Sequence, residues 1–490
     1  METRRESCLR AGARPLCLLP LNGTVCASPA SLFARTRAFW LVLLCGLALR
    51  LLLLKGTAAT PLQIDDERQY HQLAVNLLAG HGYSSEHGLT SMRPPLYPAF
   101  LAGVYAICGE GNFQAVRAVQ IGLMMLNVLL LYQLGTLVFD RRVAALGAAF
   151  FWGYPSCIGF EYLLLSEVLF TLLLTVASLS YVHLLQGGRG VFAVATGAAF
   201  GLAALTRSIL WPFPLVLCPL AYFSLQAPRP ARLRAALLLF LGFVGVVGPW
   251  AMRNTRLQGV FTVVDTMGGL NLMMGNYEHT PLDRPWDAIS LQDERSWAHQ
   301  LRIEHPDCAT WSEGRKDKWA TKRALEYMAE HPGQTMLRSL VKLCDFWGLE
   351  REIIAGFQKG LYAPPHWFAV AAVIMITFSY AGVMVLASLG FWFARPRDTR
   401  IHSFFVTLIV FISGLHALAF GHSRYHFPLV PLLILYASSG IVERSWRDIG
   451  RRIAPTVAFL LTVVALLAIW AREVLVRDFD LIQKVFQTLI

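Results

Sequence analysis

The sequence predicts an all-α polytopic membrane protein with about eleven transmembrane helices and one large loop subdomain on its outer side. Three observations carry this reading. Of 490 residues, 55% are hydrophobic and 15% are charged, too little polar surface to keep a soluble chain of this length in solution. Apolar runs of roughly 17 to 25 residues recur from Phe39 to Trp470, each long enough to cross a bilayer core. Blocks such as 235–247 and 369–389 show none of the period-two alternation of a membrane barrel strand, which leaves helices.

The spans fall near 38–54, 115–138, 143–159, 162–185, 191–207, 209–225, 235–252, 366–393, 403–420, 427–442 and 453–471. Their short connections sort by charge. Arg141, Arg142, Arg189, Arg229, Arg232, Arg234, Arg395, Arg397, Arg400, Arg444, Arg447, Arg451 and Arg452 gather on one side, which the positive-inside rule makes cytoplasmic. The segment 1–37 joins that side, with Arg4, Arg5, Arg10, Arg14, Arg35 and Arg37, so the first span reads as an uncleaved anchor. The formal charge of +12 then reflects topology, and no basic soluble face with interleaved aromatics points to nucleic acid as a partner. No Gly-rich phosphate loop and no repeat of fixed period is present. The nine cysteines lack metal-ligand spacing, and Cys308 with Cys344 leaves one disulfide open.

This divides the chain into a cytoplasmic segment 1–37, an N-terminal transmembrane module 38–252, an outer loop subdomain 253–365, a C-terminal transmembrane module 366–471 and an outer tail 472–490. The N-terminal module carries a first outer loop at 56–112. In and just after the second loop, Trp286, Trp297, Trp311, Trp319, Trp347 and Trp367 suggest helices lying at the membrane interface.

The first outer loop is the most informative stretch. After Ile64-Asp65-Asp66-Glu67, the residues Tyr70, Leu73, Ala74, Leu77 and Leu78 form one helical face, and Gly80 supplies a stop. Asp65 or Asp66 suits the helix cap, but three consecutive acids exceed a cap's needs. Pro94 and Pro95 forbid a regular helix before Leu96, and the apolar stretch from Leu96 to Cys108 is short for a span, so it reads as re-entrant or interfacial. Elsewhere Glu167, Arg207 and the cluster His422-Ser423-Arg424-Tyr425-His426 stand at the outer ends of apolar runs. Charges at such depth line a cavity or pair with each other. Pro428 and Pro431 then begin a broken or bent helix.

Six fragments carry a family resemblance: Asp66-Glu67-x-x-Tyr70, Arg93-Pro94-Pro95-Leu96-Tyr97-Pro98, Ser166-Glu167, Gly201-Leu202-x-x-Leu205-Thr206-Arg207, Pro249-Trp250-x-x-Arg253-Asn254 and Arg424-Tyr425-x-x-Pro428. In this order the chain resembles the integral-membrane glycosyltransferases of the GT-C fold, in particular the dolichyl-phosphate-mannose protein mannosyltransferases and the lipid A aminoarabinose transferases. The resemblance covers roughly residues 38–440.

It implies transfer of a sugar, hexose or pentose, from a polyprenyl-phosphate donor to an envelope lipid, glycan or protein, with inversion. The setting it implies is the outer face of a bacterial plasma membrane. The catalytic base would be Asp66, with Asp65, Glu67 and Glu167 as supporting groups. Arg424, Arg93, Arg207, His422 and His426 would hold the donor phosphate, since cations stabilise a departing phosphate and guanidinium groups pair with its oxygens two at a time. Some relatives use a divalent metal ion, for which Asp65, Asp66, Glu67, Glu167 and the histidines are the available ligands. The reading from another class is a transporter or flippase of lipid-linked sugars, which predicts charges near mid-bilayer and related halves.

Overall fold

The computed structural model describes residues 29–58, 60–62, 64–282, 284–354 and 365–477, so most of the expected cytoplasmic segment and the end of the tail lie outside the described residues. Helices run in chain order as α1 (Pro29–Gly56), α2 (Asp65–Leu78), α3 (Leu96–Cys108), α4 (Phe113–Val138), α5 (Arg141–Trp152), α6 (Pro155–Phe160), α7 (Glu167–Gly187), α8 (Gly190–Thr206) and α9 (Pro214–Ser224). They continue as α10 (Arg229–Gln258), α11 (Gly268–Met274), α12 (Trp297–Glu304), α13 (Glu313–Glu330), α14 (Pro332–Phe346), α15 (His366–Phe393), α16 (Thr399–Leu418), α17 (Val430–Val442) and α18 (Ile453–Arg472). Among the described residues, a two-residue hairpin pairing Ser84–Ser85 with Gly88–Leu89 is the sole sheet.

Eight segments, built on α1, α4, α7, α10, α15, α16, α17 and α18, are long and apolar enough to cross a membrane. The other three expected spans are shorter helices. The run 143–159 divides at Gly153 into α5 and α6, with Pro155 opening the second piece. The run 209–225 begins as a 3-10 turn at Ser208–Leu210, and α9 starts only at Pro214. The run 191–207 is α8, which lies against α10 with almost no side chain between them. A Cβ added at Gly197 would stand 1.9 Å from the Leu239 carbonyl oxygen, and one at Gly242 would stand 2.5 Å from that of Val194.

The backbone between α6 and α7 is irregular yet buried, so its polar groups need partners from elsewhere. Gln120 Nε2 donates to the Glu161 and Leu163 carbonyls at 2.9 Å each, and Arg117 Nε to that of Tyr162 at 3.1 Å. Glu67 Oε1 accepts from Leu164 N–H at 2.9 Å. Further in, Arg50 and Glu161 are both fully buried and form an ion pair at 2.7 Å, with the guanidinium 3.4 Å above the Trp152 ring, which ties α1 to α5 and α6. These contacts fix where α7 begins, and with it Glu167.

The two polar segments meet. Glu313, at the start of α13, accepts from Thr90 Oγ1 at 2.6 Å and Ser91 N–H at 2.8 Å, while Arg253 Nη1 donates to the Thr90 carbonyl at 2.7 Å. Beyond this seam the second segment has a core of its own around Met273, Leu301, Trp311 and Trp319. Trp311 and Trp319 therefore serve that core, contrary to the interfacial placement expected for them, whereas Trp367 is exposed. The Trp286 side chain lies outside the described residues. Cys308 and Cys344 are both free thiols.

Candidate active site

Five cavity-lining side chains from distant parts of the chain converge where the two polar segments cover the helix ends. A cavity of about 610 Å³ is lined by Asp66, Arg93, Arg207, Arg424 and Tyr425, among others. Its other walls combine Trp211, Pro212, Phe261, Leu415 and Leu418 with a polar face of Asp265, Asn271 and Thr321.

Local structure explains why Asp66 points inward. Helix α2 begins after Ile64, and Glu67 Oε2 accepts from Ile64 N–H at 3.0 Å. Successive helical residues turn by about 100°, so three adjacent acids face three directions. Asp65 faces solvent and pairs with Arg68 at 3.1 Å, Asp66 faces the cavity, and Glu67 is buried. The cap expected of Asp65 or Asp66 is thus not formed: Ile64 holds that position, and Glu67 bonds its backbone N–H.

Asp66 is bracketed by two guanidinium groups. Arg93 Nη2 lies 2.6 Å from Oδ1 and Arg424 Nη2 lies 3.0 Å from Oδ2. Burial pushes the Asp66 carboxyl up, but Arg424 and Arg93 together outweigh it and hold it at about 2. Gln69 fixes Arg93 from the other side, accepting from Nε at 2.9 Å.

Glu167, fully buried in the first turn of α7, organises the remaining cations. Its Oε1 accepts from Arg424 Nε and, at 2.7 Å, from Arg207 Nη1. Arg207 ends α8 and lies over the Tyr425 ring at 4.8 Å. Glu352 adds a looser contact to Arg424 Nη1 at 3.8 Å. The result is three guanidinium groups on one cavity wall, with Arg93 and Arg424 also held to Asp66. That arrangement can grip a phosphate and leaves a carboxylate beside it.

Not every expected residue reaches this place. His422 Nδ1 accepts from Arg424 N–H at 3.1 Å and caps the 3-10 turn Ser423–Leu429. The His426 ring is buried, stacked on Tyr380 at 4.7 Å and bonded to the Phe346 carbonyl at 2.6 Å. Neither lines the cavity. A turn of about three residues per repeat sends positions 422, 424 and 426 different ways. As metal ligands, Asp66 and Glu167 are held by arginines, Glu67 by backbone N–H groups, and Asp65 faces out. No group of three or more His, Cys, Asp or Glu among the described residues forms a set that could hold a metal ion.

Sequence reasoning missed Glu352, Tyr425 as a platform for Arg207, and Asp265. Asp265 sits in the loop between α10 and α11, Glu352 opens a helical turn at 352–354, and no periodicity or motif marked either.

Residues 92–252 match the family described as dolichyl-phosphate-mannose-protein mannosyltransferase. The oligosaccharyltransferase of Archaeoglobus fulgidus in its apo form is similar in structure, with a TM-score of 0.50 and 14% identity over 89% of this chain and 56% of that one. The Archaeoglobus fulgidus oligosaccharyltransferase AglB, in complex with an inhibitory peptide and a dolichol-phosphate, gives a TM-score of 0.47 at 13% identity, covering 90% of this chain and 55% of that one. ArnT from Cupriavidus metallidurans, bound to undecaprenyl phosphate, gives 0.37 at 15% identity, covering 84% and 80%. The chain spans a little over half the length of the oligosaccharyltransferases it matches. No curated protein matches it in sequence. The expected fold stands: this is an all-α, multi-pass membrane chain with the GT-C fold.

Proposed function

We propose that this GT-C-fold chain is an inverting glycosyltransferase that moves a hexose or pentose from a polyprenyl-phosphate donor to an envelope lipid, glycan or protein. Its site would face outward from a bacterial plasma membrane. The observation that carries the reading is one cavity in which Asp66 adjoins Arg93 and Arg424, with Arg207 and an apolar wall of Trp211, Pro212, Leu415 and Leu418 close by. The apolar wall suits a polyprenyl chain, the arginines suit its phosphate, and the match to the mannosyltransferase family supports a donor of that kind.

In the reaction, the acceptor hydroxyl oxygen attacks the anomeric carbon as the carbon–oxygen bond to phosphate breaks. The electron pair leaves with the polyprenyl phosphate, where the guanidinium groups stabilise it, and the hydroxyl proton passes to Asp66. One displacement without a covalent intermediate inverts the sugar carbon. A carboxylate held at about 2 by two arginines is a weak base. Donor phosphate drawing Arg93 and Arg424 toward itself would loosen that hold, so Asp66 gains basicity only when a leaving group is in place.

No observation favours a flippase. Among the described residues, the fully buried pair Arg50–Glu161 stands apart from the lining of this cavity. The experiment is lipid analysis of cells lacking the protein. A polyprenyl-phosphate sugar should accumulate on the outer leaflet, and the purified protein should consume it. Accumulation confined to the inner leaflet would favour transport instead.

A further inference from the structure

Four carboxylates bear on the cavity, and three of them have at least one oxygen held at short range by a guanidinium or a backbone N–H. Asp66 holds Arg93 and Arg424, and Glu167 stands behind the wall holding Arg207 and Arg424. Asp317 Oδ1 accepts from Gly269 N–H at 2.6 Å and Leu270 N–H at 3.3 Å, at the start of α11.

Asp265 differs. It lies between α10 and α11, lines the same cavity, and has no Lys, Arg or His within salt-bridge distance among the described residues. Its one side-chain hydrogen bond among the described residues is a long one from Met267 N–H, at 3.3 Å. Asn271 and Thr321 line the same wall, and the Asn271 side-chain amide has no protein partner among the described residues. A half-buried carboxylate without a counter-ion is costly, and its cost is offset when a ligand brings hydroxyl donors to it. Two carboxylate oxygens accept from two neighbouring hydroxyls, and an amide beside them can donate or accept. A phosphate would be repelled here, and a hydrocarbon chain would strand the charge.

We propose that Asp265, with Asn271 and Thr321 beside it, binds hydroxyl groups of the transferred sugar. This rests on the glycosyltransferase reading above and adds the part of the cavity that tells one sugar from another. Asp265 is a binding residue here and takes no part in the proton transfer assigned to Asp66.

The test compares lipids that differ only in the sugar. Full-length protein in nanodiscs is titrated with undecaprenyl phosphate and with a panel of its hexosyl and pentosyl esters. Wild type should bind at least one ester more tightly than the bare phosphate. Asp265→Ala should shrink that preference by about tenfold or more while leaving affinity for the bare phosphate unchanged, which also reports that the variant is folded. Asp265→Asn, which keeps the shape, should lose part of the preference, and it stands in if the alanine variant does not fold. Retention of the full sugar preference in both variants overturns the proposal, as does a wild type that binds phosphate and esters alike. A wild type that binds none of these lipids overturns the glycosyltransferase reading, and this inference with it.

Discussion

At the scale of single residues, Arg424 is the hinge of the charge network, because it alone among the described residues touches both Asp66 and Glu167. Losing its guanidinium removes a phosphate donor and frees two buried or half-buried carboxylates to repel the incoming phosphate. Arg424→Ala should therefore weaken donor binding by about 2 to 5 kcal/mol, and Arg424→Lys, which keeps the charge without the fork, by less. Titration of a polyprenyl-phosphate lipid against the three proteins checks the order; unchanged affinity in Arg424→Ala would remove it from the site. The same network fixes a pH dependence. With the Asp66 carboxyl depressed to about 2, its ionised form contributes stability that is present above the ordinary carboxylate range and lost as pH falls through about 2. Asp265 behaves oppositely: burial, with Asp317 nearby, lifts it to about 6 against the pull of Ser208, Met267 N–H and Arg93. An acid limb in donor binding near pH 6 thus belongs to Asp265 and not to Asp66, and it should vanish in Asp265→Asn.

At the scale of elements, α2 shows how much a sequence reveals and where it stops. Its apolar face, the stop near Gly80 and the start of α3 at Leu96 follow from periodicity and proline, and all are present. Which of three adjacent acids caps the helix does not follow, because that depends on what lies beyond it. Leu164, nearly a hundred residues away in sequence, supplies the N–H that draws Glu67 inward. Arg207 and Arg424 were legible because charges at the ends of apolar runs are costly without a purpose, and Arg93 was legible only through the family resemblance of its fragment. His422 and His426 were drawn into the same group by sequence proximity alone, which a 3-10 turn does not preserve. Two variants separate the acids. Asp65→Asn should leave folding and turnover near wild type, whereas Glu67→Ala strands the N–H groups of Ile64 and Leu164 and should cost about 1 to 3 kcal/mol. Thermal unfolding in detergent compares them, and equal midpoints would contradict this division.

At the scale of the whole molecule, the site and the arginine-rich connections stand at opposite ends of α7. Glu167 begins that helix, while Arg400 Nη1 donates to the Leu185 carbonyl near its far end, about 30 Å away for 21 residues. With the arginines on the cytoplasmic side, a cysteine at exposed position 302 in the second polar segment should react with an impermeant reagent applied from outside. Reaction of Arg302→Cys only after the inner face is opened would reverse the orientation. The central claim, that a carboxylate set among arginines takes the acceptor's proton, is tested by sugar transfer in purified Asp66→Asn with donor binding measured separately. The variant keeps shape and most hydrogen bonds but cannot accept a proton at neutral pH, so it should bind donor within a few-fold of wild type while turnover falls by about a hundredfold or more. Near-normal turnover in Asp66→Asn would contradict the account.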